Sequence, residues 1–483
     1  MKLRIISVVL ILALLPVPAA ADEDALLTFF DAVSSVAGGE ISLMSVQDTQ
    51  SARLMVEFSC ETDYPFNAQT VIKHPFENYY VVQYSSYDEA LAAQAALLSD
   101  SRVNYAEFDE PVTLDYTLSG EISSVSDISW GVEYTNAVSY MRFLSDNGRD
   151  NSVVVAVVDT GADMDHPYYL SRLVSGYDII NGDNTPDDTY GHGTHVAGIV
   201  RQMTNSNTKI MPIKTFNGRE ASLAIIANGL EYAIEKGADI VNMSFGGSHL
   251  SSGRLETLVG RAKRNNIPVV AAAGNYATNA ADTCPAHIGN CITVTAHTQS
   301  GTPCYSFSNY GTVCDISAPG EQIYSSYLNG QYTYMSGTSM ATPFVSGACA
   351  LLLSNSPDLS FQTLTTALLD MYALPDDWDT NYGAGVLSLR PYDWSIESLE
   401  LSSSNRATVT VRGNLVCDGY EPTLFVALYD DDGIMTYFKT AELTQDKKKY
   451  YFSLGDVKGS EIKAFVWDIS SASILTEPYI KST

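Results

Sequence analysis

The sequence predicts an α/β fold with a parallel sheet sandwiched by helices, preceded by an α+β region and followed by a small all-β region. Between about Trp130 and Trp394, short apolar strands alternate with helical stretches. Because these strands are apolar on both faces, they are typical of a parallel sheet that helices cover on both sides. Beyond Ser395 the pattern changes to strands of alternating polarity separated by turns, which is typical of an antiparallel sandwich.

Length and charge narrow the class of protein. A chain of 483 residues is long enough for two or three folded units. Its 56 acidic residues outnumber its 27 lysines and arginines, which gives a formal net charge of -29. Phosphate binding requires clustered lysine and arginine, so we expect no nucleic-acid partner. The negative charge favours solubility outside the cell.

Residues 1–21 have the pattern of a secretory signal peptide. Two basic residues, Lys2 and Arg4, precede the apolar run Ile5–Leu15, and small residues follow it. The apolar run is short for a membrane span, and we expect no transmembrane segment elsewhere. We therefore expect a secreted, extracellular protein, with attachment to a bacterial cell surface as an open alternative.

Residues 22–118 are predicted to form a unit of their own. The pattern indicates a strand at Tyr79–Tyr84, a helix at Tyr87–Asp100 and a strand at Val103–Phe108. The segment Leu118–Ser129 is rich in small polar residues, which is typical of an exposed link suited to proteolysis.

Residues 119–394 carry the alternating pattern of strand and helix. The predicted strands are Val153–Val158, Asp239–Phe245, Ile267–Gly274 and Cys291–Ala296. The predicted helices include Ser222–Lys236, Leu255–Arg264 and Thr338–Leu353. In such parallel sheets, active residues collect at the carboxyl ends of the strands.

Residues 395–483 are predicted to form a small β-sandwich accessory domain. The predicted strand segments are Arg406–Leu415, Pro422–Gly433, Lys448–Leu454 and Glu461–Ile469. The role of this region is open.

The seven cysteines suggest local disulfides, because export permits them. Four of the cysteines lie between positions 284 and 314, where a bridge from Cys284 to Cys291 is the simplest pairing. Since the count is odd, at least one thiol stays unpaired within the chain.

Three residues in the alternating region suggest chemistry only when they are taken together. Asp159 ends a buried strand, His192 stands between two glycines at a predicted helix start, and Ser339 lies near another helix start. Each residue alone has a structural explanation, as a turn carboxylate, a hydrogen-bonding histidine or a capping serine. Together they supply an alcohol nucleophile, a base for its proton and a carboxylate that orients the base. Asn275, at the end of a strand, adds an amide that can donate to an oxyanion.

Two other interpretations of these residues are weaker. His192 and His195 are spaced like metal ligands, but zinc proteases place a glutamate directly after the first histidine, where this chain has Gly193. Lipases and esterases place the serine before the acid and the histidine in the chain, whereas Ser339 comes last here.

The motifs DTG, GHGTHVAG, NMSFGG, AAAGN, SNYG, APG and SGTSMATP follow one another between Asp159 and Pro343. In this order they resemble the subtilisin-like serine proteases, and the stretch Asn275–Ser354 resembles the proteinase K branch of that family. Asp, His and Ser also follow the chain order of subtilisin.

The resemblance implies a role for each motif residue. Asp159 would orient His192, the general base and acid; Ser339 would be the nucleophile; and Asn275 would complete the oxyanion hole with the Ser339 N–H. The edge that pairs with an extended peptide substrate would consist of Ser244, Phe245 and Gly246. Gly274 would line the pocket for the side chain before the scissile bond.

The same resemblance implies that residues 22–118 are an inhibitory propeptide, the protein's own intramolecular inhibitor. Thr113–Leu118 would pass through the active cleft, and the cut would fall between about Thr113 and Ser126. We therefore expect a self-processed zymogen of a monomeric serine endopeptidase that acts on peptides or proteins. A non-catalytic binding protein on a protease scaffold is the rival, although all four catalytic positions are occupied by the expected residues.

Departures from the family bear on metal binding and specificity. Tyr168 stands where the family often has a calcium-binding aspartate, so we expect that site to be missing. Asp315 matches a position that holds a weaker cation in some members, which makes it the candidate ligand for a weak structural calcium ion; no cofactor is expected to be required.

The substrate edge also departs from the family, which has small residues where this chain has Arg219, Glu220 and Ala221. Glu220 would favour a basic residue some way before the cut. The surroundings of Phe245 favour apolar side chains, whereas Asp282 near the expected pocket floor would favour a basic one.

Overall fold

The computed structural model of the chain describes most of residues 51–482. The described ranges are 51–74, 77–124, 126–146, 148–248, 252–371, 373–374, 383–389, 395–402, 406–412, 422–430, 435–443, 449–454, 461–468, 473–474 and 479–482. The predicted signal peptide at residues 1–21 and Cys417 lie outside the described residues. All elements below belong to one unit, Ala52–Thr483.

The first part of this unit is a four-stranded antiparallel sheet with one helix. Its elements are β1 (Arg53–Phe58), β2 (Thr70–Lys73), β3 (Tyr79–Gln83), α1 (Tyr87–Leu98) and β4 (Val103–Phe108), in the sheet order β2-β3-β1-β4. The hydroxyl of Ser86 accepts a hydrogen bond from the Glu89 N–H, and this cap starts α1. Val56, Val82 and Leu97 are buried together in a core between helix and sheet.

The middle part contains most of the secondary structure. Its strands are β5 (Pro111–Thr113), β6 (Thr117–Leu118), β7 (Val153–Asp159), β8 (Tyr177–Asp178), β9 (Thr208–Lys214), β10 (Glu220–Ser222), β11 (Ile240–Met243), β12 (Gly247–Ser248), β13 (Val269–Ala272), β14 (Thr283–Cys284), β15 (Cys291–His297), β16 (Ile316–Pro319), β17 (Ile323–Tyr327), β18 (Gln331–Ser336), β19 (Ala373–Leu374) and β20 (Val386–Leu387). Its helices are α2 (Trp130–Tyr134), α3 (Ala137–Asp146), α4 (His192–Met203), α5 (Leu223–Glu235), α6 (Gly253–Arg264), α7 (Thr338–Asn355) and α8 (Phe361–Thr366).

A nine-stranded sheet forms the centre of the middle part, in the order β19-β20-β16-β15-β13-β11-β7-β9-β8. β19 pairs antiparallel to β20, and the other neighbours pair in parallel. The predicted class, a parallel sheet flanked by helices, is confirmed.

Alternate residues of β7 belong to two different cores. Val155 and Val157 pack into the cluster that contains the buried residues of α4 and α7. Ala156 and Val158 pack into the cluster that contains those of α5 and α6. Because successive side chains of a strand point to opposite faces, the sheet is buried on both sides, which explains why its strands are continuously apolar.

The last part is formed by two antiparallel sheets. Its strands are β21 (Ser395–Leu401), β22 (Arg406–Arg412), β23 (Pro422–Tyr429), β24 (Met435–Glu442), β25 (Lys449–Ser453), β26 (Glu461–Asp468), β27 (Ser473–Ile474) and β28 (Tyr479–Ser482). One sheet has the order β21-β22-β25, and the other has β24-β23-β26-β27 with β28 also paired to β26. Side chains of both sheets, such as Val409 and Val426, share one buried cluster. This is a sandwich, as the alternating pattern predicts.

The described cysteines do not form the expected bridge. Cys284 and Cys291 are both buried and unpaired, as are Cys304, Cys314 and Cys349, while Cys60 is exposed. Burial raises the pKa of the Cys284 thiol to about 12, so the thiol is neutral and unreactive at ordinary pH. Among the described helices, none combines the length and the apolar character that a membrane span requires.

Candidate active site

A buried carboxylate–imidazole pair lies at the carboxyl end of the central strand β7. Asp159 is the last residue of β7, and its Oδ1 atom lies 2.7 Å from Nδ1 of His192. Both side chains are completely buried. Because a carboxylate only accepts hydrogen bonds, the contact places the imidazole proton on Nδ1. The other ring nitrogen, Nε2, is therefore a free acceptor, and it has no hydrogen-bond partner among the described residues.

The loop before α4 fixes the position of His192. Gly191 adopts a left-handed conformation with φ of 105°, which suits glycine, and His192 follows as the first residue of the helix. The carboxylate of Asp188 accepts hydrogen bonds from the N–H groups of Tyr190, Gly191 and Thr194. The side chain of Asp188 thus holds the helix start. The only signal for this role in the sequence is an aspartate shortly before a predicted helix.

Ser339 lies in the first turn of α7, where free backbone N–H groups and the helix dipole favour negative charge. The amide of Asn275 is oriented toward the same place. Its Oδ1 atom accepts hydrogen bonds from the backbone N–H and the hydroxyl of Thr338, at 2.7 and 2.9 Å. The Nδ2 group is therefore left to donate elsewhere, and it donates to the carbonyl oxygen of Asp115. Sequence reasoning missed Thr338 as the residue that orients the amide.

The ring of Tyr116 connects the two halves of the site. Its centroid lies 4.8 Å from that of the His192 ring. Its Cβ lies 3.6 Å from the point where a Cβ on Gly337 would stand, directly before the helix that carries Ser339. The structure therefore brings Asp159, His192, Asn275 and the start of α7 together around one tyrosine.

The side chains of the predicted substrate-binding edge are buried. Phe245 is 2% exposed and belongs to the same buried cluster as Val112 and Leu114. Its ring lies 5.0 Å from that of Phe216. The hydroxyl of Ser244 accepts a hydrogen bond from the Asn242 side chain at 2.8 Å.

The two glycines predicted at this edge lie close to other groups. A Cβ on Gly246 would stand 2.7 Å from the Thr283 side chain. Gly274 has a φ of 102°, and its N–H donates to the Thr338 hydroxyl at 3.1 Å. Both positions leave no room for a larger residue without a shift of their neighbours.

Residues 111–118 lie across this site as a segment with a short strand at each end. On one side β5 pairs antiparallel with β10, with Thr113 opposite Glu220. On the other side β6 pairs antiparallel with β18, with Thr117 opposite Ser336. The chain between the two ladders passes Asn275 and His192, so a peptide segment of the protein itself fills the cleft.

Three further predicted positions are not part of the hydrogen-bonded pair of Asp159 and His192. His195 is buried and its Nε2 lies 3.2 Å from the Thr333 carbonyl oxygen. Burial lowers the pKa of His195 to about 3, which keeps the ring neutral. Asp282 and Glu220 are exposed.

Asp315, the candidate calcium ligand, directly precedes β16, and its side chain contacts the neighbouring strand β15. Its carboxylate accepts a hydrogen bond from the Thr293 N–H at 2.7 Å, and burial raises its pKa to about 6. Among the described residues, one group of three potential metal ligands is close enough to share an ion, namely His74, Glu77 and Glu231. Both of these glutamates form ion pairs with Arg254 and with Arg261, so two positive charges already face the two carboxylates.

Fold and site together define a class of protein. An α/β sheet with a buried aspartate–histidine pair at its carboxyl edge, a serine at a helix start and an asparagine donor beside it is the arrangement of a subtilisin-type serine hydrolase.

Comparison with known proteins agrees with this class. The model of the subtilase family matches residues 150–385. Thermitase from Thermoactinomyces vulgaris is 40% identical over 216 residues, which is 43% of this chain and 76% of thermitase. Subtilisin DY from Bacillus licheniformis is 34% identical over 250 residues, 49% of this chain and 89% of that protein. A crystal structure of a cold adapted subtilisin-like serine proteinase covers 50% of this chain and 88% of its own, with 33% identity and a TM-score of 0.46. The chain belongs to the subtilase family of serine proteases.

Proposed function

We propose that this chain is the precursor of a secreted endopeptidase that hydrolyses peptide bonds through Asp159, His192 and Ser339. The buried contact of 2.7 Å between Asp159 and His192 supports this proposal most directly. A carboxylate on Nδ1 fixes the tautomer in which Nε2 can take a proton, and it stabilises the imidazolium that then forms.

The residues of the site supply each part of an acyl transfer. The Ser339 oxygen attacks the substrate carbonyl carbon while its proton moves to Nε2 of His192. The oxyanion is stabilised by the Asn275 Nδ2 group and the backbone N–H at the start of α7. His192 then gives its proton to the leaving amine, and water hydrolyses the ester on Ser339. The protein's own groups therefore suffice for the reaction.

We also propose that residues 22–118 act as the inhibitory propeptide. Two of their carboxylates bind the starts of helices in the middle part of the chain. Glu107 accepts hydrogen bonds from the Ser252 hydroxyl and the Gly253 N–H at the start of α6, at 2.9 and 2.8 Å. Asp109 accepts one from the Ala224 N–H at the start of α5, at 2.8 Å. Negative groups at helix N-termini are stabilising, so these contacts favour docking of the propeptide.

A fluorophosphonate probe tests the proposed activity, because it reacts with an activated serine. We expect the processed wild-type protein to be labelled at Ser339 and to hydrolyse a denatured protein substrate. Ser339→Ala should show neither property, and His192→Ala should lose at least a thousandfold in rate, in line with the loss of a residue of such a triad. A folded, processed sample that takes up no label would instead favour a non-catalytic binding protein on this scaffold.

Export and ion binding complete the proposal. The pattern of residues 1–21 supports secretion, with a monomeric enzyme released outside the cell. The carboxylate of Asp315 is offered as a ligand of a weak structural calcium ion, with backbone carbonyl groups as its other ligands.

A further inference from the structure

Three contacts define how residues 111–118 lie in the cleft. The Leu114 N–H donates to the Arg219 carbonyl oxygen at 2.8 Å, which ends the ladder between β5 and β10. The carbonyl oxygen of Asp115 accepts the hydrogen bond of the Asn275 side chain. The ladder between β6 and β18 then starts at Thr117. Three peptide bonds join Leu114 to Thr117 between these two ladders, and the middle one is the bond between Asp115 and Tyr116.

The Asp115 carbonyl occupies the place where a reacting carbonyl is expected. Its oxygen is bound by Nδ2 of Asn275, the donor proposed for the oxyanion. The next residue, Tyr116, packs its ring against His192, the proposed source of the proton for the leaving amine. Leu114 and Val112, before the bond, are buried in a cluster with Phe245. The segment therefore lies in the orientation of a substrate.

The side chain of Arg219 contacts both residues that directly precede this bond, Leu114 and Asp115. Its Nε and Nη2 groups donate to the Leu114 carbonyl oxygen at 3.0 and 2.8 Å. Nη2 also lies 3.8 Å from the Asp115 carboxylate. Arg219 therefore holds the backbone of the strand and places a positive charge beside the side chain that precedes the bond.

We propose that the precursor is cut between Asp115 and Tyr116, and that Arg219 gives the enzyme a preference for an acidic residue immediately before the scissile bond. This proposal rests on the proposed function. It differs from the expectation that Asp282 favours a basic residue directly before the cut, because Arg219 places a positive charge 3.8 Å from the Asp115 carboxylate. The expectation that Glu220 favours a basic residue farther before the cut stays a prediction.

The cut follows the ordinary course of acyl transfer. The Ser339 oxygen bonds to the Asp115 carbonyl carbon, and its proton passes to His192. The bond from that carbon to the Tyr116 nitrogen then breaks, and the nitrogen takes the proton from His192. One water molecule hydrolyses the ester, which leaves a carboxylate on Asp115, a free amine on Tyr116 and an unchanged Ser339.

Intact mass measurement of the refolded precursor tests the position of the cut. At early times, before further trimming, we expect two fragments, one ending at Asp115 and one beginning at Tyr116. The Ser339→Ala precursor should stay whole. A first cut at another bond, in a sample that a fluorophosphonate labels at Ser339, would overturn the assigned bond and leave the proposed activity intact. A sample with neither label nor cut would overturn both.

Matched peptides test the preference. Their sequence is that of residues 111–118, with Asp, Asn or Lys at the position of Asp115. Because the side chains of Asp115 and Arg219 are 35% and 53% exposed, the ion pair is screened by water. We expect the Asp peptide to exceed the Asn peptide in kcat/KM by about two- to fivefold, with the Lys peptide lowest.

Arg219→Gln separates charge from hydrogen bonding. Glutamine keeps one donor for the Leu114 carbonyl but has no charge, so the ratio between the Asp and Asn peptides should fall to about one. Both peptides should also lose about tenfold in kcat/KM, because a charged donor pair is lost. Arg219→Lys should retain the preference for Asp. An unchanged Asp/Asn ratio in Arg219→Gln, or a wild type that cuts all three peptides equally, would overturn the role of Arg219.

Discussion

Two histidines of α4, three residues apart, differ in what their rings contact. His192 faces Asp159 and the cleft, whereas His195 is buried against the Thr333 carbonyl. Burial holds the pKa of His195 near 3, against about 6.5 in the unfolded chain. Below pH 6.5 the unfolded chain therefore takes up a proton that the folded chain does not. Stability from this group is complete above pH 6.5 and is lost as the pH falls from there toward 3.

His195→Asn should therefore flatten the pH dependence of stability. In the Ser339→Ala background, which prevents self-digestion, the unfolding free energy should fall less steeply between pH 6.5 and 5, with a slope difference that rises to about 1.4 kcal/mol per pH unit at pH 5 relative to the parent. Urea unfolding at several pH values measures this slope. The difference between the two proteins at pH 8, where histidine is neutral in both states, reports packing alone. Parallel pH curves would contradict a buried, neutral His195.

For single residues, the sequence indicates which side chains are candidates for the site better than it indicates which atoms they contact. Asp159, His192 and Ser339 are predicted as catalytic residues because each stands in a short motif, and the motifs keep one order. Thr338 and Arg219 could not be assigned their contacts, because these depend on which strands and loops meet in three dimensions. Arg219 stands where the family has small residues, but the sequence does not indicate that its side chain binds the Leu114 carbonyl oxygen.

The starts of α5 and α6 are completed by groups from another part of the chain. At α5 the local cap is Ser222, and the carboxylate of Asp109 also accepts a hydrogen bond from the first turn. At α6 the local cap is Ser252, and Glu107 supplies the additional carboxylate. The helices themselves could be predicted from their apolar periodicity to within a few residues. The carboxylate caps could not be predicted, because Asp109 and Glu107 lie more than a hundred residues from these helices in the sequence.

Asp109→Ala should weaken the contact between the N-terminal region and α5. The variant leaves the Ala224 N–H without this acceptor and removes the ion pair of 3.1 Å with Arg53. We expect the Ser339→Ala precursor to lose about 1–2 kcal/mol of unfolding free energy. Asp63→Ala, at an exposed position of the same region, is the control and should change stability by less than about 0.5 kcal/mol. Equal effects of the two substitutions would rule out a specific cap.

On the scale of the whole molecule, the hydrophobic clusters around the nine-stranded sheet are separate from the cluster of the C-terminal sandwich. The clusters around the nine-stranded sheet contain buried residues from 132 to 389, together with a few from the N-terminal region such as Met55. The cluster of the last part contains buried residues from Leu399 to Val466. The change in sequence pattern near Ser395 predicts this division, because continuous apolar strands require cover on both faces and alternating strands require it on one.

A chain that ends at Trp394 should therefore keep the proteolytic site. The shortened chain retains every residue of the two clusters around the sheet, including Leu387 and Leu389, and removes the C-terminal sandwich as a whole. We expect kcat/KM on a short peptide to stay within about twofold of the full-length enzyme, since surface changes distant from a packed core have small effects. The measurement compares both proteins after active-site titration with a fluorophosphonate, so that differences in folding yield do not count as differences in rate. A tenfold lower kcat/KM per labelled site would mean that the C-terminal sandwich shapes the catalytic cleft.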